Sequence, residues 1–241
     1  TGSSGEIERA REMLALLLSE NARLARPLRF VVSLLNHQPG YGLPDPEVSL
    51  DEQKAPGWSA REVYLEGASQ RRGVGQLAER IERYRDEASI RSSPYIVAWE
   101  LVNELDTHRS VASGSFLGPD ARRLRTSFLL PAAQMLFESF PQAVAFGDLR
   151  GVLVGYRAFA TSLIKELPPA TRARLVWTSH VYVEQASAAP QASEVRAAVE
   201  KGTRKLDADL GLARKFGLPF VVGEIGQLVR GAKTAYCKGG A

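Results

Sequence analysis

"PYIVAWELVNELD", residues 94–106, joins an apolar strand directly to a polar cluster. The segment YIVAW has the composition of a buried strand, whereas Glu100, Asn103 and Glu104 follow with no loop in between. Charge is costly inside a strand, so the polar end must face water, a partner or a substrate. The stretch therefore predicts a buried strand whose carboxyl end carries functional groups.

Apolar strands and amphipathic helices alternate along the rest of the chain. The further strands are predicted at residues 28–35, 143–148, 174–182 and 218–226, and the helices at 6–24, 59–87, 122–139, 157–167 and 192–216. This alternation predicts an α/β fold with a parallel sheet covered by helices. Either a doubly wound open sheet or a (β/α)8 barrel fits the pattern. We find no linker and expect a single domain over residues 1–241.

Composition narrows the class of protein. Hydrophobic residues make up 44% and charged residues 24% of 241 residues, as in soluble globular proteins, and no apolar run is long enough to predict a membrane span. The net charge of +4 comes from arginines that alternate with glutamates on helices, which indicates a solvated surface and no nucleic-acid partner. The single cysteine, Cys237, rules out a disulfide within the chain and argues against a cysteine metal site.

We expect no cofactor. The only glycine pattern resembling a dinucleotide fingerprint is GVGQLA, residues 73–78, and it lies within a predicted helix instead of directly after a strand. We interpret it as an interruption of that helix. No nucleophile elbow of the Gly-x-Ser-x-Gly type is present, which argues against an esterase-like hydrolase.

Polar side chains collect where the predicted strands end. In chain order they are Asn36 and His37, Asn103 and Glu104, Asp148, His180 and Tyr182, and Glu224. The carboxyl ends of parallel strands share one face of the sheet, and that face holds the active site in such folds. Two glutamates on different strands suit glycosidic bond cleavage, in which one protonates the leaving oxygen and the other acts across the sugar.

The same stretches resemble the clan A glycoside hydrolases, in particular the family 5 group of cellulases and β-mannanases. RYRDEASIRSSPYIVAWELVNELD is similar to the fourth-strand region of that group, WTSHVY to its sixth strand and GLPFVVGEIG to its seventh. The resemblance implies a (β/α)8 TIM barrel and a retaining glycoside hydrolase acting on a β-linked polysaccharide or oligosaccharide, of β-mannan or β-glucan type. Only about five strand–helix units, matching strands three to seven, are evident, so we expect the first two strands and the last to be lacking from this chain.

The resemblance also implies roles for individual residues. Glu104 matches the general acid/base, Glu224 the nucleophile and Asn103 the residue that binds the sugar 2-hydroxyl. A retaining pair predicts carboxyl groups about 5 Å apart. Further substrate-binding positions are His180 and Tyr182 beside the nucleophile, and His37, Asn36 and Trp58. Leu105 departs from the family, which usually has a proline after the Asn-Glu pair.

Other polar and aromatic residues have structural interpretations. Glu100 is expected to be a buried carboxylate paired with an arginine, Trp177 to pack in the core, and Asp148 either to cap a helix or to touch substrate. An alternative function remains open: a non-catalytic carbohydrate-binding barrel, or an inactive barrel fragment. The sequence does not define the compartment or the oligomeric state, and an extracytoplasmic location is expected if a signal peptide was removed.

Overall fold

The computed structural model describes residues 4–36, 67–103, 118–149, 155–185 and 191–229. The strands are β1 (Phe30–Asn36), β2 (Ile96–Asn103), β3 (Ala143–Ala145), β4 (Leu175–Gln185) and β5 (Phe220–Val229). The helices are α1 (Ser4–Asn21), α2 (Gly67–Asp86), α3 (Ala88–Arg91), α4 (Pro119–Arg123), α5 (Leu130–Ser139), α6 (Tyr156–Glu166), α7 (Pro169–Arg172) and α8 (Ala192–Phe216). A π-helical segment, Leu124–Leu129, joins α4 to α5. None of the helices in these ranges is both long and apolar enough to cross a membrane.

The strand order distinguishes between the two architectures that the sequence left open. Every neighbouring pair is parallel, and the order in the sheet is β1-β2-β3-β4-β5, the same as in the chain. Crossovers between parallel strands are right-handed, so a sheet that never reverses its order carries its helices on one face. A doubly wound sheet reverses at a switch point, and none occurs among the described strands. The described chain is therefore an α/β half-barrel, which confirms the predicted parallel α/β fold in part.

Trp99 identifies the face of the sheet that packs against the helices. Its fully buried indole stacks on the Phe140 ring, with 4.1 Å between ring centroids and 21° between the ring planes, and its Nε1 donates to Gln142 Oε1 at 3.2 Å. Alternate residues of a strand point to opposite faces, so Glu100 points to the other, concave face. The hydrophobic core thus lies between sheet and helices, and Glu100 of β2 lies opposite it.

Helix α2 corrects one sequence interpretation. It runs without a break from Gly67 to Asp86, so the predicted interruption at residues 73–78 is wrong. Leu77, Ile81 and Tyr84 are buried at helical spacing, and their burial explains why two glycines do not end the helix. Gly75 has open space around the position of a Cβ, so no close contact requires a glycine there.

Helix α8 begins and ends at the predicted residues because both ends carry strong local signals. Gln191 and Glu194 form a capping box at its start, and Gly217 closes it in the left-handed conformation, with φ of 65°. Strands β4 and β5 extend three residues beyond their predicted ends, and β3 is only three residues long.

Candidate active site

The carboxyl ends of the strands bring predicted site residues to one rim of the half-barrel. Asn36 at the end of β1 is in register with Asn103 at the end of β2. His180 on β4 is in register with Glu224 on β5, and Tyr182 with Gly226. Asn36 and Asn103 end their strands, whereas His180 and Glu224 lie in the middle of β4 and β5, each five residues before the end of its strand.

His180 and Glu224 form the best defined contact of this rim. His180 Nδ1 lies 3.6 Å from Glu224 Oε1, which is an ion-pair distance and longer than a hydrogen bond. The histidine is 3% exposed, whereas the glutamate side chain is 37% exposed. The carboxylate is therefore accessible from outside while its partner is held inside.

Gly223 explains how the imidazole fits. A Cβ at residue 223 would lie 2.8 Å from His180 Nε2 and 3.1 Å from its Cδ2. The ring therefore packs directly on the backbone of β5, which a larger residue would prevent. The sequence GEIG thus combines the candidate nucleophile with the glycine that admits its partner.

Glu100 lies deeper on the concave face and is 6% exposed. Burial raises the pKa of its carboxyl above the usual range, a hydrogen bond from Ser33 and the charge of His180 oppose the rise, and Glu224 and Asp148 add to it. The electrostatic interaction between Glu100 and Glu224 reaches across the two strands that lie between them, as expected when the sheet curls and its concave face brings distant strands together. Within the described part of the chain no arginine pairs with Glu100, so the expected arginine partner is not found there.

Asp148 is buried after β3, where its carboxylate forms an ion pair with Lys205 of α8 at 2.8 Å. Burial raises the pKa of this carboxyl, and the lysine opposes the rise. The sequence left Asp148 between a helix cap and a substrate contact; the structure shows an ion pair with Lys205, and the substrate contact stays a prediction. The sequence analysis did not identify Lys205 and Asp209. Both fall on the face of α8 that buries Gly202 and Leu212, and charged residues on a buried helix face are the sequence signal that could have indicated them.

Gly147 brings β3 against β2 beside the rim. Its φ is 93°, and a Cβ there would lie 1.7 Å from the carbonyl oxygen of Val102. The amide of Val102 donates to the carbonyl of Phe146 at 3.3 Å, so the two chains touch along their backbones. Only glycine permits this approach, which sets the position of Asp148 relative to β2.

Three predicted site residues, Glu104, His37 and Trp58, lie outside the described residues, so the expected 5 Å separation of Glu104 and Glu224 stays a prediction. Trp177 is buried in the core, as its structural interpretation proposed. In the described ranges no group of three or more histidine, cysteine, aspartate or glutamate side chains is arranged to hold a metal ion.

Comparison with known proteins assigns no family to the chain. No protein-family model matches the chain, and no curated protein matches it. Among solved structures, the catalytic domain of alkaline cellulase K is similar, with 12% sequence identity and a TM-score of 0.40. The alignment covers 85% of this chain and 66% of that domain, so the chain spans just under two thirds of the structure that it matches. A likeness of this size defines no activity.

Proposed function

We propose that the chain is the catalytic part of a retaining glycoside hydrolase that cleaves β-linked glycosidic bonds in a (β/α) barrel. The observation that carries this proposal is the contact between the accessible Glu224 carboxylate and the buried His180 on the neighbouring parallel strands β4 and β5. An anion at the rim of a singly wound parallel sheet is in the position that such folds use for catalysis. The sequence resemblance to family 5 adds the second carboxylate, Glu104, directly after Asn103 of the same rim.

The proposed first step forms a covalent intermediate. The Glu224 carboxylate attacks the anomeric carbon and makes a glycosyl ester, while Glu104 gives its proton to the departing oxygen. In the second step Glu104, now a carboxylate, takes a proton from water. The water oxygen attacks the anomeric carbon, the ester bond breaks, and Glu224 is released as a carboxylate.

His180 supports the nucleophile in this scheme. A buried imidazole 3.6 Å from the carboxylate holds its direction and remains out of the way of a sugar ring. Asn103 is assigned to the sugar 2-hydroxyl, and Tyr182, Asn36, His37 and Trp58 to further contacts with the substrate, as the family resemblance implies. We propose a β-mannan or β-glucan as the substrate class.

The test compares two carboxylate variants on aryl β-glycosides and on a panel of β-linked polysaccharides. Glu224→Gln should abolish turnover and form no glycosyl-enzyme, since no anion can attack. Glu104→Gln should retain part of the rate on substrates with good leaving groups, because these need little protonation. With azide, Glu104→Ala should release a β-glycosyl azide.

The matched control is Glu200→Gln, which removes a carboxylate from the exposed face of α8, where it pairs with Arg204 at 3.8 Å. Its turnover should equal that of the unmodified protein. Binding of oligosaccharide without any turnover would indicate a carbohydrate-binding barrel instead. A β-azide product from Glu224→Ala and none from Glu104→Ala would exchange the two roles.

A further inference from the structure

Lys205 lies behind the rim at the centre of a buried polar cluster. Its Nζ is 2.8 Å from Asp148 Oδ1, 2.8 Å from Ser179 Oγ and 3.1 Å from Asp209 Oδ2, and its side chain is 12% exposed. An ammonium group has three hydrogens to donate, and these three contacts use all of them. The lysine therefore joins α8 to the end of β3 and to β4 at once.

Asp209 completes the cluster from one turn further along α8. It is fully buried and accepts hydrogen bonds from Tyr156 Oη and Ser179 Oγ, both at 2.6 Å, in addition to Lys205. Ser179 thus accepts from the lysine and donates to the aspartate. Burial, with the charge of Asp209 as the next cause, raises the pKa of Tyr156 well above its usual value, so the phenol keeps the proton that it donates.

Stability alone is a weak explanation for this arrangement. A buried ion pair recovers its desolvation cost only with good geometry, and apolar residues of similar volume often do as well. The position of the cluster suggests another role, since Ser179 directly precedes His180. Opposite this step β5 has one extra residue, Gly223, because Ser179 pairs with Val222 and His180 with Glu224, and such a bulge redirects the side chain that follows it on β5.

We propose that Lys205 is a positioning residue for the active site, acting through Ser179 and Asp148 on His180 and so on Glu224. This inference rests on the proposed function only in taking Glu224 as the nucleophile. The lysine and Asp209 hold the Ser179 hydroxyl toward α8, and because consecutive residues of a strand point to opposite faces, this fixes the direction of the next side chain, His180, toward Glu224. Its contact with Asp148 holds the end of β3 at the same level.

The test uses Lys205→Met, which keeps the length of the side chain and removes its charge and hydrogens, against Lys201→Met on the exposed surface of the same helix. The first readout is the pH titration of the His180 imidazole by NMR, with its signals assigned by their loss in His180→Gln. The groups facing this imidazole are Glu224 of β5, Glu100 of β2 and Asp148 after β3. Lys205→Met should displace the His180 signals and their titration midpoint, and Lys201→Met should not.

The second readout is kinetic. We expect Lys205→Met to lower kcat on an aryl β-glycoside by about 10- to 100-fold with KM near its original value, because a misplaced catalytic group costs rate and spares ground-state binding. Lys205→Arg should recover part of the rate. If Lys205→Met does not fold, Ser179→Ala breaks the same connection without removing a charge and should displace the His180 signals in the same direction.

The two proposals fail separately. A wild-type protein without glycosidase activity would refute the proposed function, while the His180 signals of the variants would still report on positioning. An active protein in which Lys205→Met, or Ser179→Ala in its place, matches Lys201→Met in both His180 signals and kcat would overturn the role of Lys205.

Discussion

Replacing Glu100 by glutamine should remove a pH-dependent penalty on folding. The carboxyl is 6% exposed, and burial is the main cause that raises its pKa. The hydrogen bond from Ser33 and the charge of His180 compensate in part, whereas Glu224 and Asp148 disfavour a further anion. Glutamine has the same shape and can still accept a hydrogen bond, but it never carries the charge.

The sign follows from the direction of the shift. A carboxyl with a raised pKa in the folded state loses its proton first in the unfolded chain, so stability falls as the pH rises. The fall begins near the ordinary value of 4.5 and ends once the pH has passed the raised pKa of the folded state. One group exchanges at most one proton, which limits the slope to about 1.4 kcal/mol per pH unit. Below this window the carboxyl is neutral in both states and adds nothing.

Urea unfolding of both proteins across this pH range measures the effect. The free energy of unfolding of Glu100→Gln minus that of the unmodified protein should increase with pH through the window and then remain constant. Taking the difference cancels titrating groups that do not interact with Glu100. Glu200→Gln, an exposed carboxylate paired with Arg204, should give a flat difference. Parallel stability curves, or a difference that decreases with pH, would refute the argument.

Two other substitutions test the packing that holds the rim. Trp99→Ala should lower the free energy of unfolding in urea by about 3–5 kcal/mol, because it empties a fully buried site stacked on Phe140, and a loss below 1 kcal/mol would contradict that packing. Gly147→Ala should cost more than about 2 kcal/mol or prevent folding, since its Cβ would meet the Val102 carbonyl oxygen at 1.7 Å. Thermal unfolding against Gly75→Ala, where the Cβ has open space and the helix should gain about 0.5–1 kcal/mol, separates the clash from a general effect of losing glycine.

Much of the fold was predictable because its signals are local. Helix α8 carries a capping box at Gln191 and a left-handed glycine at 217, and both ends were predicted to the residue. The strand at 94–106 was predictable from its apolar run, which Trp99 anchors against the helices. The limits of β3 and the continuity of α2 could not be predicted, because contacts with residues distant in sequence determine them. These contacts are the approach of Gly147 to β2 and the burial of the apolar face of α2.

The residues of the site likewise divide into those that the sequence predicted and those that only the packing reveals. The family resemblance implied that His180 lies beside Glu224, and the structure places the two side chains 3.6 Å apart. Lys205 could not, because a lysine followed four residues later by Asp209 looks like an ordinary surface pair on a helix. Only the packing of α8 on β4 buries that pair and turns it toward Ser179. Tertiary contacts, which have no counterpart in local sequence, create this part of the site.

Asp148 lies between Lys205 of α8 and the charged groups of the concave face. It pairs with Lys205 at 2.8 Å on one side and interacts electrostatically with His180 and Glu100 on the other. The charge that His180 experiences therefore depends on how completely the lysine neutralises Asp148. Removing the lysine would both release the backbone beside His180 and leave a less compensated anion near it. We therefore expect Lys205→Met to change both geometry and charge at the rim, and measuring the His180 signals beside kcat detects both effects in one variant.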